Sequence, residues 1–254
     1  MFKENGIKFT VLVLIVAGSC AVMAEEESKV EFEITADFYS KYIWRGIVVT
    51  DDHVFQPGAS ATFGGLTAGV WGNLELTDFS DNDGEFTEVD YYLDYSGDVP
   101  GVEGVGYSVG LIYYHFPSLV GDTTEVYLGL NFDLPLNPSV TVYHDIDVAD
   151  GTYVSFGLEH SIESIGELAP DLPVGMDISA SLGYGDDSYN DTYWGVDDDA
   201  VNDLVLSVAF PVELGGWTVA PSINYISLLD SDIRSSDGDS SDYFVTGISL
   251  STSF

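Results

Sequence analysis

From Val30 to the terminal Phe254 the chain alternates apolar and polar residues in about twelve separate segments. A period of two sorts successive side chains onto opposite faces of a strand, so each segment presents two surfaces of opposite polarity. In the first, Val30, Phe32, Ile34, Ala36, Phe38, Tyr42 and Trp44 share one face, while Glu31, Glu33, Thr35, Asp37, Tyr39, Lys41 and Arg45 share the other. The same rhythm returns in Leu66, Ala68, Val70 and Leu74, in Val126, Leu128, Leu130 and Phe132, and in Leu204, Leu206, Val208 and Phe210. It closes the chain in Phe244, Ile248, Leu250 and Phe254.

Two solvents satisfy such a pattern, and the number of strands chooses between them. A closed barrel's interior is only just filled by side chains at about eight strands, so twelve apolar faces turned inward would overfill it. Turned outward they meet hydrocarbon, where only helices and closed barrels can satisfy every backbone polar group. Beyond the N-terminus no stretch approaches the roughly 18 consecutive apolar residues of a membrane helix. The expected fold is therefore all-β: a transmembrane antiparallel up-and-down β-barrel of about twelve strands. A secreted soluble β-sandwich is the rival fold.

At the N-terminus Lys3 and Lys8 flank a short apolar run from Phe9 to Ala17, and Val22-Met23-Ala24 precedes an acidic start. This reads as a cleaved secretory signal over residues 1–24, leaving 25–254 as the barrel. Cys20, the sole cysteine, goes with the signal, so no disulfide and no cysteine-based metal site is expected.

The connections are of two kinds. Gly64-Gly65, Pro135-Leu136-Asn137-Pro138 and Leu214-Gly215-Gly216 read as tight turns on one rim, with two longer links, Ser96 to Gly104 and Ser161 to Pro173, on the same side. The opposite rim carries longer polar links, including Gly185 to Ala200 and Leu229 to Asp242. Short turns on one side and long loops on the other are the habit of outer-membrane barrels. An even strand count puts both termini on one rim, expected to be periplasmic in a Gram-negative cell, and the apolar alternation ending on Phe254 suits recognition by the barrel assembly machinery. Tyr42, Trp44, Tyr95, Tyr113, Tyr184, Trp217 and Tyr225, near segment ends on the apolar face, suit the lipid headgroup boundary.

Acidic residues number 43 against 6 basic, a formal net charge of -37. That repels nucleic acid. The polar faces carry most of the chemistry: Lys41, Arg45, Glu75, Glu88, Asp90, Asp94, Glu125, Glu159 and Asp177 are the candidate pore-lining residues, and a water-filled bore so lined favours cations or neutral solutes. Lys41 and Arg45 can equally form neighbouring-strand salt bridges that fix register. Catalysis finds no purchase. His144 falls on the lipid face and Ser155 on the inner one, so they cannot share a proton. Asp81-Asn82-Asp83-Gly84 and Asp237-Gly238-Asp239 are fragments of calcium loops without the full ligand spacing. No cofactor or dedicated metal site is expected, and the chain reads as a non-enzyme.

Tyr39-Ser40-Lys41-Tyr42-Ile43-Trp44-Arg45-Gly46, then Gln56-Pro57-Gly58, Ala68-Gly69-Val70-Trp71-Gly72-Asn73 and Glu88-Val89-Asp90-Tyr91 together resemble the TorF-like family of outer-membrane porins. The resemblance implies an outer-membrane β-barrel acting as a channel; it transfers no functional residues, and Gly46 is expected to permit a sharp bend at the rim. The function expected is passive diffusion of small hydrophilic solutes, cations or neutral molecules favoured, with outer-membrane lipid around the barrel. The alternative is a non-conducting surface or adhesion barrel, its bore blocked by Trp71, Tyr92, Tyr127 and Tyr143, whose acidic loops bind divalent cations or a partner. Homo-oligomerisation stays open, no interface being legible.

Overall fold

A computed structural model describes residues 29–79, 82–117, 121–238 and 241–254; the expected signal segment, and Asp81 and Asp239 of the calcium-loop fragments, lie outside them. The elements in chain order are β1 (Glu31–Tyr39), β2 (Tyr42–Trp44), β3 (Ile47–Thr50), β4 (Val54–Phe63), β5 (Leu66–Glu75), β6 (Phe86–Asp98), β7 (Val105–His115), β8 (Thr123–Phe132) and β9 (Ser139–Asp145). They continue as β10 (Thr152–Ala169), β11 (Leu172–Gly185), α1 (Asp187–Trp194), β12 (Ala200–Ala209), β13 (Val212–Leu214), β14 (Trp217–Leu228), α2 (Ser231–Asp237) and β15 (Asp242–Ser253).

Twelve of these strands are the staves of a closed antiparallel barrel: β1, β4 to β12, β14 and β15, each paired with its neighbours along the chain. Closure comes from β1 against β15, in register from Glu33 opposite Ser253 to Tyr39 opposite Gly247. The ends are stitched together as well, Phe254 and Phe32 exchanging both backbone hydrogen bonds at 3.0 Å. Short β13 extends the β12 stave along β14 after an interruption at Phe210 and Pro211. A closed ring leaves no edge of unpaired backbone groups, each of which would cost several kcal/mol in hydrocarbon.

The side-chain sorting is that of a membrane barrel. Phe32, Phe38, Val70, Leu111, Leu128, Phe156, Leu206 and Ile248 are all exposed on the outside, Leu128 at 54%. In a water-soluble globule the same residues would form the interior. Glu75, Glu88, Glu125, Asp145 and Asp203, by contrast, point inward and are buried. Among the described residues no helix is long and apolar enough to cross a membrane; the strands make the crossing.

Several expectations need correction. The first strand ends at Tyr39, so Tyr42 and Trp44 are not on the lipid face, Lys41 lies between strands and Arg45 sits in a turn. The physical cause is at Ser40, whose backbone N–H donates to the Thr246 carbonyl at 2.9 Å while its Oγ accepts from the Thr246 N–H at 3.0 Å. That double clasp fastens the end of β1 to β15, and the chain then turns into the bore. Ser161 to Pro173 is no loop: β10 and β11 run on as a paired ribbon through a bulge, to Ala169 opposite Leu172. The links after β11 and β14 contain α1 and α2, which alternation cannot announce.

Candidate functional site

The segment that turns inward is a small hairpin, β2 paired with β3, with Arg45 and Gly46 at its tip. Both tip residues have positive φ, 48° and 85°, the backbone of the primed turns that match the twist of paired strands. Glycine is required at the second position for a further reason: a Cβ there would stand 2.6 Å from Leu228 Cδ2 and 3.2 Å from Asp203 Cβ. The hairpin tip therefore presses directly on the wall formed by β12 and β14.

Arg45 carries the contact across the bore. In the ring of twelve, β1 and β9 stand six staves apart in either direction, and are opposite each other. From a hairpin rooted in β1, the guanidinium reaches Glu125 on β8, making two bonds of 2.7 Å, Nη1 to Oε1 and Nη2 to Oε2. Its centre lies 4.4 Å from the ring centroids of Trp44, of Tyr143 on β9 and of Tyr153 on β10. A planar fork paired bidentately and sandwiched by aromatic faces is a use of arginine that lysine cannot copy. Tyr114 donates from its hydroxyl to Glu125 Oε2 at 2.8 Å, and Tyr153 to Asp203 Oδ1 at 2.9 Å.

Above this level the long loops fold over the hairpin. Asp186 caps α1, accepting from the Tyr189 N–H at 2.9 Å, and also accepts from the Thr152 N–H at 2.8 Å, which ties the helix to β10. Burial opposes ionisation of this carboxyl, but the two backbone donors outweigh it and hold Asp186 below the usual aspartate range. Tyr113 hydrogen-bonds Asp122, which also accepts from His115 and the Phe116 N–H, and its carboxyl too is held low. On α1, Tyr189 is fully buried, and Tyr193 donates to Asp145 Oδ2 at 3.2 Å while packing edge-on against Trp44. Trp194, Ala200, Leu228 and Ile233 of α2 form a small apolar core, with Ile47 of the hairpin against it.

Two cavities flank the hairpin. One, of about 200 Å³, opens towards the long-loop rim between the hairpin and the β6 to β8 wall. The other, about 250 Å³, lies on the β12, β14 and β15 side and includes Lys41, Arg45 and Gln56 in its lining. Towards the rim that holds the chain ends, the inner wall is small and hydroxylic, with Thr35, Ser60, Ser108, Ser181, Ser207 and Ser249 at inward positions.

The nine candidate lining residues divide between these levels. Glu75, Glu88, Asp90 and Glu125 surround the hairpin and are buried, Glu75 accepting from Thr50 Oγ1 at 3.2 Å. Lys41, at the hairpin's base, is ion-paired with Asp51. Asp94 lies deeper and accepts from the Tyr127 hydroxyl at 2.7 Å; Glu159 borders a cavity near the rim of the chain ends with Asn131 and Asn137; Asp177 is half-buried on β11, opposite Ala209. Trp71 packs on Tyr42 and Tyr127 on Tyr143. Among the described residues no group of three or more histidine, cysteine, aspartate or glutamate side chains is placed to hold a metal ion. Sequence reading missed Tyr114, Tyr153, Tyr189 and Tyr193; Asp186 before Asp187 and Ser188 was the available signal, as a helix N-cap.

Fold and site together define a transmembrane β-barrel with a bore crossed by its own first loop. The chain belongs to the family described as bacterial protein of unknown function (Gcw_chp), whose model matches residues 23–220. No curated protein matches it. Among solved structures it is similar to a NanC porin, at 12% identity and TM-score 0.49 over 87% of this chain and 98% of that one. It is also similar to an outer membrane channel from Pseudomonas putida F1, at 10% identity and TM-score 0.42 over 91% and 97%, and to Salmonella typhi OmpF, at 9% identity and TM-score 0.39 over 89% and 97%.

Proposed function

We propose that this chain is an outer-membrane channel for passive diffusion of small hydrophilic solutes, of the kind its resemblance to the TorF-like porins implies. The observation that carries the reading is the Arg45 hairpin. It divides the bore into two flanking cavities instead of packing flush on one wall, above a lower bore lined by hydroxyls and carboxylates. Glu75, Glu88, Asp90, Asp145 and Asp203 are buried at the level of the hairpin, where Arg45 is forked onto Glu125. The excess of acidic over basic side chains along the bore is what favours cations over anions in this reading. In this reading the chain ends face the periplasm and the loops with α1 and α2 face outward.

A second reading, a surface barrel that does not conduct, is favoured by one feature: α1 and α2 pack an apolar core against the hairpin across the outer mouth. Liposome swelling separates the two. Vesicles loaded with the purified barrel are expected to swell in isotonic glycine amide or arabinose, and more slowly in the anion glucuronate. Swelling no faster than in empty vesicles for every solute would overturn the channel reading.

A further inference from the structure

The outer cavity of about 200 Å³ is walled by the rings of Tyr42, Trp44, Tyr114, Phe116 and Tyr193, and Glu88 is the carboxylate in its lining. We infer that this cavity is a binding site for a small organic ammonium ion with an apolar or aromatic body. The proposal goes beyond the channel reading and holds whether or not the bore conducts.

Three observations meet there. First, the aromatic rings belong to three separate parts of the fold, the hairpin, the β7 stave with the residue just after it, and α1, and they border one space. Ring faces are electron-rich and attract cations, most strongly when water is excluded. Second, two buried carboxyl groups of β6 have no ion-pair partner among the described residues. Glu88 is 3% exposed and takes a hydrogen bond from Tyr42, which leaves further acceptor positions on its two oxygens. Asp90, the next inward residue on the same strand and in register with Tyr114, is 9% exposed with its Oδ1 buried and without a hydrogen-bond partner. Third, the nearby cation is already committed: Arg45 is forked onto Glu125 and cannot serve Glu88. An apolar ligand would leave Glu88 without a cation, and an inorganic ion would leave the rings unused. A ligand with one ammonium and one hydrocarbon body satisfies both halves. Size agrees, since an apolar cavity of about 150 Å³ holds benzene.

Phenethylammonium and 2-phenylethanol share a shape and differ in charge, so they serve as probes. With the folded barrel in lipid nanodiscs, phenethylammonium is expected to bind saturably by calorimetry and to quench the emission of Trp44, identified by subtracting the Trp44→Phe variant. The alcohol is expected to bind at least tenfold more weakly, and Glu88→Gln to weaken the amine at least tenfold while leaving the alcohol unchanged. Heat-modifiable gel migration of each variant reports folding independently, and Asp94→Asn, deeper in the bore, supplies a charge-matched comparison. Equal binding of amine and alcohol, an equal loss in Asp94→Asn, or no saturable binding would each overturn the inference. None of these readouts depends on conduction.

Discussion

Replacing Arg45 by methionine isolates the interaction that holds the hairpin across the bore. The methionine fills similar space, but Glu125, 1% exposed in its side chain, is left as a buried carboxylate without its cation. Removing one partner of a buried ion pair costs about 3 to 5 kcal/mol, and loss of the stacked guanidinium adds roughly 0.5 to 2 kcal/mol. The twelve staves keep their own hydrogen bonds, so the penalty falls on the closed position of the hairpin and the barrel stays folded. At about 1.4 kcal/mol for each factor of ten, the lower figure alone makes hairpin opening about a hundredfold more frequent. Amide hydrogen exchange followed by mass spectrometry reads that equilibrium locally. Peptides spanning Tyr42 to Thr50 are expected to lose about a hundredfold in protection, while β8 and β9 keep theirs. Arg45→Met combined with Glu125→Gln is expected to recover at least tenfold, because the buried charge is then gone. Hairpin protection within threefold of the native chain in Arg45→Met would refute this account of the latch.

Gly46→Ala places a Cβ at positive φ and against Leu228; at about 1 to 2 kcal/mol for a left-handed non-glycine residue, hairpin protection is expected to fall at least fivefold in the same exchange measurement. Leu128→Arg, at an outward position midway along β8, is expected to destabilise the barrel by about 2 to 4 kcal/mol in denaturant titrations from lipid vesicles, whereas Ser181→Arg, facing water in the bore, is expected to cost far less. Asp186 has a depressed carboxyl pKa in the folded chain, so its ionised form stabilises the α1 cap above about pH 4 and that contribution is lost as pH falls through the folded value. Exchange protection of α1 is therefore expected to hold from pH 7 to about pH 4 and to drop below it, with a flatter profile in Asp186→Asn.

The barrel itself was legible because alternation is a local signal tied to the two solvents. Phe32 and Glu33, or Leu128 and Tyr127, declare their sides of the wall without reference to any other strand. The tight turns were legible in the same way, from glycine and proline. Tyr42 and Trp44 misled because they keep the parity of β1 beyond its end; parity does not record that the Ser40 clasp has sent the chain inward. The Arg45-Gly46 turn was visible as a bend, yet its reach was not, since Glu125 lies 80 residues away along the chain and meets Arg45 only once the sheet has closed. The acidic candidates were placed on the polar face by period alone. Their division into a buried ring at the hairpin and a wetter set below follows from where one loop happens to fold, which no single strand encodes.

Planar-bilayer recording of the native chain beside a variant whose hairpin, residues 41 to 50, is replaced by a short glycine-serine linker tests the central claim most directly. The account predicts small, cation-selective steps for the native barrel under a potassium chloride gradient, and steps at least severalfold larger, with weaker selectivity, once the hairpin is gone. Equal conductance in the two proteins, or a hairpin-free barrel that inserts and stays silent, would contradict it.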